Sequence, residues 1–183
     1  MLFELDGAIT RAVNGWAGHS PVLDAIGVTA AVWLIVPLVV LAIIFLIRAV
    51  RCGKHRIVIE LIGTLILALL ISQLIGIVAF RSRPFVDNVS TLLIAKDPTE
   101  KSFPSDHATM AFALVFSLWP LMRRRSSRVL LVGVAVLVAL GRVYVGVHYV
   151  SDVIAGAALS FGVFAAVHYV SGRISRQRVA VVD

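Results

Sequence analysis

Three short runs in this 183-residue chain hold side chains that could do chemistry together. The first is Arg81-Ser82-Arg83-Pro84 and the second is Ser102-Phe103-Pro104-Ser105-Asp106-His107. The third is Gly141-Arg142, followed by His148 and Asp152. Arg83 and Arg142 offer planar guanidinium forks that match phosphate oxygens. Pro104 and Ser105 read as a helix start with Ser105 at the N-cap, and a helix N-terminus turns free N–H groups and a positive dipole end towards an anion. His107 falls in that first turn. His148 and Asp152 are four positions apart, which on one helix gives them a common face. The carboxylate can then fix one imidazole nitrogen as a donor and leave the other free to attack. Two histidines, one orienting carboxylate, several arginines and a helix N-terminus make the inventory of a phosphoryl-transfer site.

The elements that must position these groups are unusually apolar. The chain is 60% hydrophobic and 15% charged, with a mean hydropathy of +0.98. Soluble domains are about 45–50% apolar and about 25% charged. The expected solvent is therefore lipid, and the expected class is an all-α, polytopic membrane helix bundle formed as a single domain over 1–183. Crossing ~30 Å of hydrocarbon takes about 20 helical residues. Spans are expected at 25–47, 57–79, 104–122, 129–147 and 150–170, the third only if its helix starts at the Ser-Asp-His segment. Pro37 is expected to kink the first span. Glu60 and Gln73 read as polar contacts within the bundle or as span ends. Ahead of the spans, Leu2, Leu5, Ile9, Ala12, Val13 and Trp16 recur at helical spacing, with Glu4, Asp6, Arg11 and Asn14 between them. That pattern predicts an N-terminal amphipathic helix at the membrane interface. Glu4 and Asp6 stand where a secretory signal would be positive.

Basic residues alternate along the chain. Arg48, Arg51, Lys54 and Arg56 follow the first span, Arg123, Arg124, Arg125 and Arg128 the third, and Arg173, Arg176 and Arg178 the fifth. The positive-inside rule makes those ends cytoplasmic, so 80–103 and 146–150 are expected outside, together with all three chemical runs. Charge inside a span costs at least about 2.5–3.5 kcal/mol, so Arg142 and Asp152 are expected to face a wet or protein-lined site. The net charge of +7 is accounted for by headgroup contacts, and no nucleic-acid partner is expected. The single cysteine, Cys52, excludes a disulfide framework and a cysteine-based zinc site. His107, His148 and Asp152 could nominally hold zinc, but the surrounding arginines would repel a cation, so neither metal nor cofactor is expected. His19, His55 and His168 lie outside the constellation and read as structural.

Arg83-Pro84, Pro104-Ser105-x-His107 and Arg142-x5-His148-x3-Asp152 together resemble the three-part signature of the type 2 phosphatidic acid phosphatase superfamily. The resemblance spans 81–152 in order and spacing. Within that superfamily, the short chain and the Ser-Phe-Pro-Ser-Asp-His run look like the bacitracin-resistance type of undecaprenyl diphosphate phosphatase. The resemblance implies a metal-free histidine mechanism. His148 would attack phosphorus, Asp152 would orient it, and His107 would protonate the leaving oxygen. Arg83, Ser105 and Arg142 would hold the transferred group. Two positions depart from the pattern. Gly76 stands where the first motif usually has Lys, and Asp106 where the second usually has Gly. Arg81 is the first candidate to supply the missing charge and Lys101 a weaker one. A carboxylate beside phosphate is unfavourable unless it turns away, so at Asp106 the anion is expected to use the backbone N–H, with the side chain capping the helix or tuning His107.

The expected activity is hydrolysis of undecaprenyl diphosphate at the outer face of a bacterial inner membrane, recycling the lipid carrier for peptidoglycan synthesis. Phosphatidic acid, phosphatidylglycerophosphate or diacylglycerol diphosphate are alternative substrates, since acyl and prenyl tails both suit apolar grooves. A lipid-phosphate transporter or binding protein would need the arginines, but not a histidine held by a carboxylate.

Overall fold

The computed structural model describes residues 2–180, and the regular elements in them are helical. The side chains of Leu2, Arg176 and Arg178, which enter the sequence argument, and all of 181–183 lie outside what is described.

Helix α1 (Leu2–Asn14) docks by its polar stripe. Thr10 and Asn14 are buried, while Phe3, Leu5, Ile9 and Trp16 are exposed. Asp6 accepts from the Ser151 N–H and hydroxyl at 3.0 and 2.5 Å, and the Asn14 amide donates to the carbonyls of Thr91 and Tyr144 at 2.9 and 2.6 Å. The periodicity is as expected, but the polar face is the one that meets protein. Beside lipid an apolar face needs no protein cover, whereas polar groups away from water need partners.

Helix α2 (Pro21–Val28) starts at Ser20, whose hydroxyl accepts from the Leu23 N–H, with Pro21 in the first turn, where its missing donor costs nothing. A wide π turn, Thr29–Trp33, leads into α3 (Ile35–Arg51). The departure from regular α-helix thus lies one turn ahead of Pro37, where a kink is expected. Pro37 has no N–H to give, and its ring would collide with the Trp33 carbonyl, so the ladder loosens there. The Leu34 N–H reaches instead to the Thr29 carbonyl at 3.0 Å.

Four helical stretches are long and apolar enough to cross a membrane: Pro21–Arg51, His55–Val78 (α4), Arg125–Tyr144 (α6) and Val150–Ile174 within α7 (Val150–Ala180). The stretch expected at 104–122 differs. Helix α5 runs only Asp106–Leu118, followed by a 3-10 turn, Trp119–Leu121. Its 13 residues reach only about 20 Å at 1.5 Å per residue. Pro120 ends it, lacking a donor and crowding the preceding turn. Helix α5 is instead the centre of the bundle, packed on α3, α4, α6 and α7. Ala108, Ala111, Ala113 and Val115 are fully buried. Helix α7 comes especially close, because a Cβ on Gly156 would stand 2.8 Å from Thr109 Oγ1 and 3.0 Å from the Ser105 carbonyl. A helix wrapped by protein has its apolar surface and backbone satisfied by its neighbours, so it can run between the two ends of the bundle on fewer residues than a lipid-facing span needs. Ile43, Ile47, Ile66, Leu70, Leu137 and Phe161 face outward, the exterior expected of a bundle solvated by lipid.

The two ends differ in charge. Arg48, Lys54 and Arg123 line one groove, which brings the α3–α4 and α5–α6 connections to a common end. Near that end Glu60 accepts from Arg56 at 2.8 Å and Ser171 at 2.8 Å, tying α4 to α7 as a bundle contact. At the opposite end the 79–103 loop, α1 and the α6–α7 turn converge, the Leu93 N–H donating to the Val145 carbonyl at 3.1 Å.

Candidate active site

The α6–α7 turn presents His148. Gly146 makes the turn possible with φ of +83°, a region open to glycine, and a Cβ there would overlap the Thr91 carbonyl. His148 is 3% exposed, and its Nδ1 lies 2.9 Å from the Ser102 carbonyl. A carbonyl only accepts, so Nδ1 carries the proton and Nε2 keeps its lone pair. Burial pushes the imidazole down to about 4, the two nearby arginines push the same way and Asp152 opposes them. The neutral form, which can attack, therefore prevails at neutral pH.

Asp152 stands differently from the arrangement expected of a single helix. His148 precedes α7, and the nearest Asp152 oxygen is 3.7 Å from Nδ1, beyond hydrogen-bond range. That oxygen accepts instead from the Ser102 hydroxyl at 2.6 Å and the Tyr149 N–H at 2.8 Å. Ser102 thus bridges the pair, its carbonyl taking the imidazole proton and its hydroxyl serving the carboxylate. Ser102 lies in the second run, but spacing alone assigns it no role. Its position there was the available signal.

Arg81 binds the other Asp152 oxygen at 2.9 Å, Asp6 at 2.8 Å and Ser151 at 2.7 Å, with its guanidinium 3.6 Å from the Tyr149 ring centre. The structure therefore seats Arg81 against Asp152 and α1. Arg83 gives Nη1 to the Val147 carbonyl at 2.9 Å, next to His148. Arg142 leans on the Ala31 carbonyl of the π turn at 3.5 Å, and Gly141 beside it allows that turn to approach, since a Cβ would come 2.6 Å from the Ala31 nitrogen. Ser105 holds the N-cap position without capping by its side chain, while its N–H reaches the Asp152 carbonyl at 3.1 Å. Three donors in this group are buried without a partner: Arg83 Nε, Arg142 Nε and Ser105 Oγ. Buried polar atoms are normally paired, and an anion is one partner that this unmatched set of donors can take. His107, half-buried in the first turn of α5, feels the charges of Arg142 and His148.

The two departures from the motif pattern meet in space. A Cβ on Gly76 would overlap the Lys101 side chain, whose ammonium reaches Asp106 at 2.8 Å and the Pro104 carbonyl at 3.0 Å. Asp106 also accepts from Ser72 at 2.7 Å and Gln73 at 3.0 Å. Its carboxylate is thus turned onto α4 and Lys101, neither capping α5 by its side chain nor touching His107. An apolar groove lined by Pro21, Ala25, Ile26, Ala30, Leu34 and Leu137 opens between α2, the π turn and α6.

The profile of the PAP2 superfamily matches residues 57–176. Undecaprenyl-diphosphatase BcrC of Bacillus subtilis is 35% identical over 147 residues, 80% of this chain and 74% of that protein. Decaprenylphosphoryl-5-phosphoribose phosphatase of Mycobacterium tuberculosis is 38% identical over 112 residues, 61% of this chain and 58% of that protein. The crystal structure of Aquifex aeolicus LpxE superposes with a TM-score of 0.67 at 23% identity, covering 87% of this chain and 92% of that one, which supports the fold. The chain belongs to the PAP2 superfamily and is a multi-pass membrane phosphatase.

Proposed function

We propose that this phosphatase hydrolyses a long-chain prenyl diphosphate, undecaprenyl diphosphate, to the monophosphate and inorganic phosphate at the extracytoplasmic face. The observation that carries the reading is the set of unpartnered buried donors, Arg83 Nε, Arg142 Nε and Ser105 Oγ, around a histidine whose Nε2 is free. His148 Nε2 forms a bond to the terminal phosphorus as the bridging P–O bond breaks, and His107 gives its proton to the departing lipid monophosphate. A bound polyanion favours the imidazolium form of His107 that this step needs. Water then attacks the phosphohistidine, loses its proton to His107, and phosphate leaves. Phosphoryl transfer asks a protein mainly for positioning and charge, and buried guanidinium groups with a helix N-terminus supply both. The similarity to undecaprenyl-diphosphatase BcrC supports the prenyl diphosphate over glycerolipid phosphates. A mere binder of lipid phosphates would need no imidazole with a lone pair directed to the anion.

The test is phosphate release by the purified protein in EDTA, from undecaprenyl diphosphate, phosphatidylglycerophosphate and phosphatidic acid. The prenyl diphosphate should be the best substrate by kcat/KM, and activity should survive chelation. A preference for either glycerolipid overturns the substrate. Complete loss in EDTA, restored by one divalent ion, overturns the metal-free mechanism.

A further inference from the structure

A carboxylate already occupies part of this anion site. Arg83, 4% exposed, gives Nη2 to Glu100 Oε2 at 3.1 Å, and Lys96 contacts the same oxygen. The segment is locally ordered. The Thr99 N–H and hydroxyl donate to Asp97 Oδ1 at 2.8 and 2.7 Å, and the Glu100 N–H approaches the Asp97 carbonyl at 3.4 Å. Glu100 is 48% exposed and Lys96 27%, so the carboxylate is wet on one side and backed by a buried guanidinium on the other. Glu100 also lies within electrostatic reach of Arg142, and Lys96 within reach of His107.

We propose that the Lys96–Glu100 pair of the outer loop selects substrates carrying a second phosphate: the transferred phosphoryl group displaces Glu100 from Arg83, and Lys96, released, binds the phosphate that leaves. This deepens the preceding section and rests on its assignment of the site to phosphoryl transfer. A carboxylate spreads one charge over two oxygens, whereas a terminal phosphoryl group brings up to two charges on three oxygens and can use all three unpartnered donors. Glu100 gives up few contacts on leaving, because water already solvates half of it. Lys96 shares Glu100 with Arg83 and lies within electrostatic reach of His107, the group assigned to the leaving oxygen. A lipid monophosphate sends an uncharged alcohol there, but a diphosphate sends an anionic phosphate that the ammonium can hold. Glu100 thereby keeps two cations neutralised in the empty site without a bound ion.

Binding constants test this without turnover. Inorganic phosphate and the non-hydrolysable methylenediphosphonate are titrated into the detergent-purified full-length protein by calorimetry, in EDTA. The wild type should bind the diphosphonate more tightly. Lys96→Ala should cut that preference about tenfold, equivalent to about 1.4 kcal/mol, and Lys96→Arg should retain most of it. Glu100→Gln should tighten inorganic phosphate by about threefold or more, since the neutral amide oxygen holds Arg83 less strongly than the carboxylate it replaces. Equal weakening of both ligands by Lys96→Ala, no change in either, or looser phosphate binding by Glu100→Gln would overturn the proposal. The last result would make Glu100 a support for Arg83 and not a competitor. A wild type that favours glycerolipid substrates in the panel above would overturn the prenyl diphosphate reading while leaving this ratio to be decided by its own measurement.

Discussion

His148 donates to the Ser102 carbonyl, and that hydrogen bond shapes the expected mutant behaviour at this scale. His148→Ala should abolish turnover of every substrate. His107→Ala should lose most where the leaving group most needs a proton. General acid help is worth about 10²–10⁴-fold and least for an oxygen that already leaves well, so the defect should be larger on an alkyl phosphate than on a matched aryl phosphate. A reversed order in kcat/KM, with folding confirmed, would exchange the roles. Because Asp152 acts on the imidazole at 3.7 Å, through charge and through Ser102, Asp152→Asn should fall between these two, lowering kcat with little effect on KM. The protonation state itself can be read by ¹⁵N NMR of labelled histidines. His148 has its folded value pushed down to about 4 by burial, so its neutral Nδ1–H form should persist as pH falls through 6.5 to 5. A midpoint near the ordinary imidazole value would show the ring to be wet.

At the scale of elements, α1 joins the candidate site by contact, although it lies far from it in sequence. Its Asp6 holds Arg81, which holds Asp152. Asp6→Asn keeps the shape and removes the charge that fixes Arg81 on its outer side. The expected result is a fall in kcat of about tenfold, the scale of one partly buried charged hydrogen bond, with KM nearly unchanged. Arg81→Lys should lose more, since one ammonium cannot reproduce the fork that serves Asp6 and Asp152 together. A rise in KM alone would instead point to direct substrate contact by Arg81. Helix α5 shows the same division between position and chemistry. Small residues on it and Gly156 on α7 let the two helices close, and that approach brings Ser105 against the Asp152 carbonyl.

For the whole molecule, the charge asymmetry of the two ends is a statement about orientation. Positive residues favour the cytoplasmic side, so the end bearing Arg48, Lys54 and Arg123 is expected inside, and the end bearing Arg83 and His148 outside. Impermeant thiol labelling of intact cells checks this with single cysteines at Asn88 and Ser127. Cys52 is exposed at the basic end, so it must first be replaced by serine. Position 88 should label and 127 should not, and the opposite pattern would invert the protein.

Much of this protein was legible without coordinates, and the boundary follows from range. Composition pointed to a lipid-solvated bundle, and short runs brought out His107, His148, Asp152, Arg83 and Arg142 as candidates, but the spacing of His148 and Asp152 implied one helix where the fold puts His148 ahead of α7. At α5 the regular helix is shorter than the apolar stretch expected at 104–122, because hydropathy reports apolar length and cannot tell a helix enclosed by other helices from one that meets lipid. Partners remote in sequence were invisible. Asp6 and Ser151 are 145 positions apart, and Ser102 and Asp152 are 50 apart. No periodicity encodes such pairs. The same holds for Gly76 and Lys101: the sequence offers Lys101 only as the weaker candidate for the missing charge, and packing sets the lysine stem over the glycine. Which charges could neutralise one another was decided only by the packing of α1, α4, α5, α7 and the outer loop, since electrostatic pairing falls off over a few ångströms and chain separation does not measure that distance.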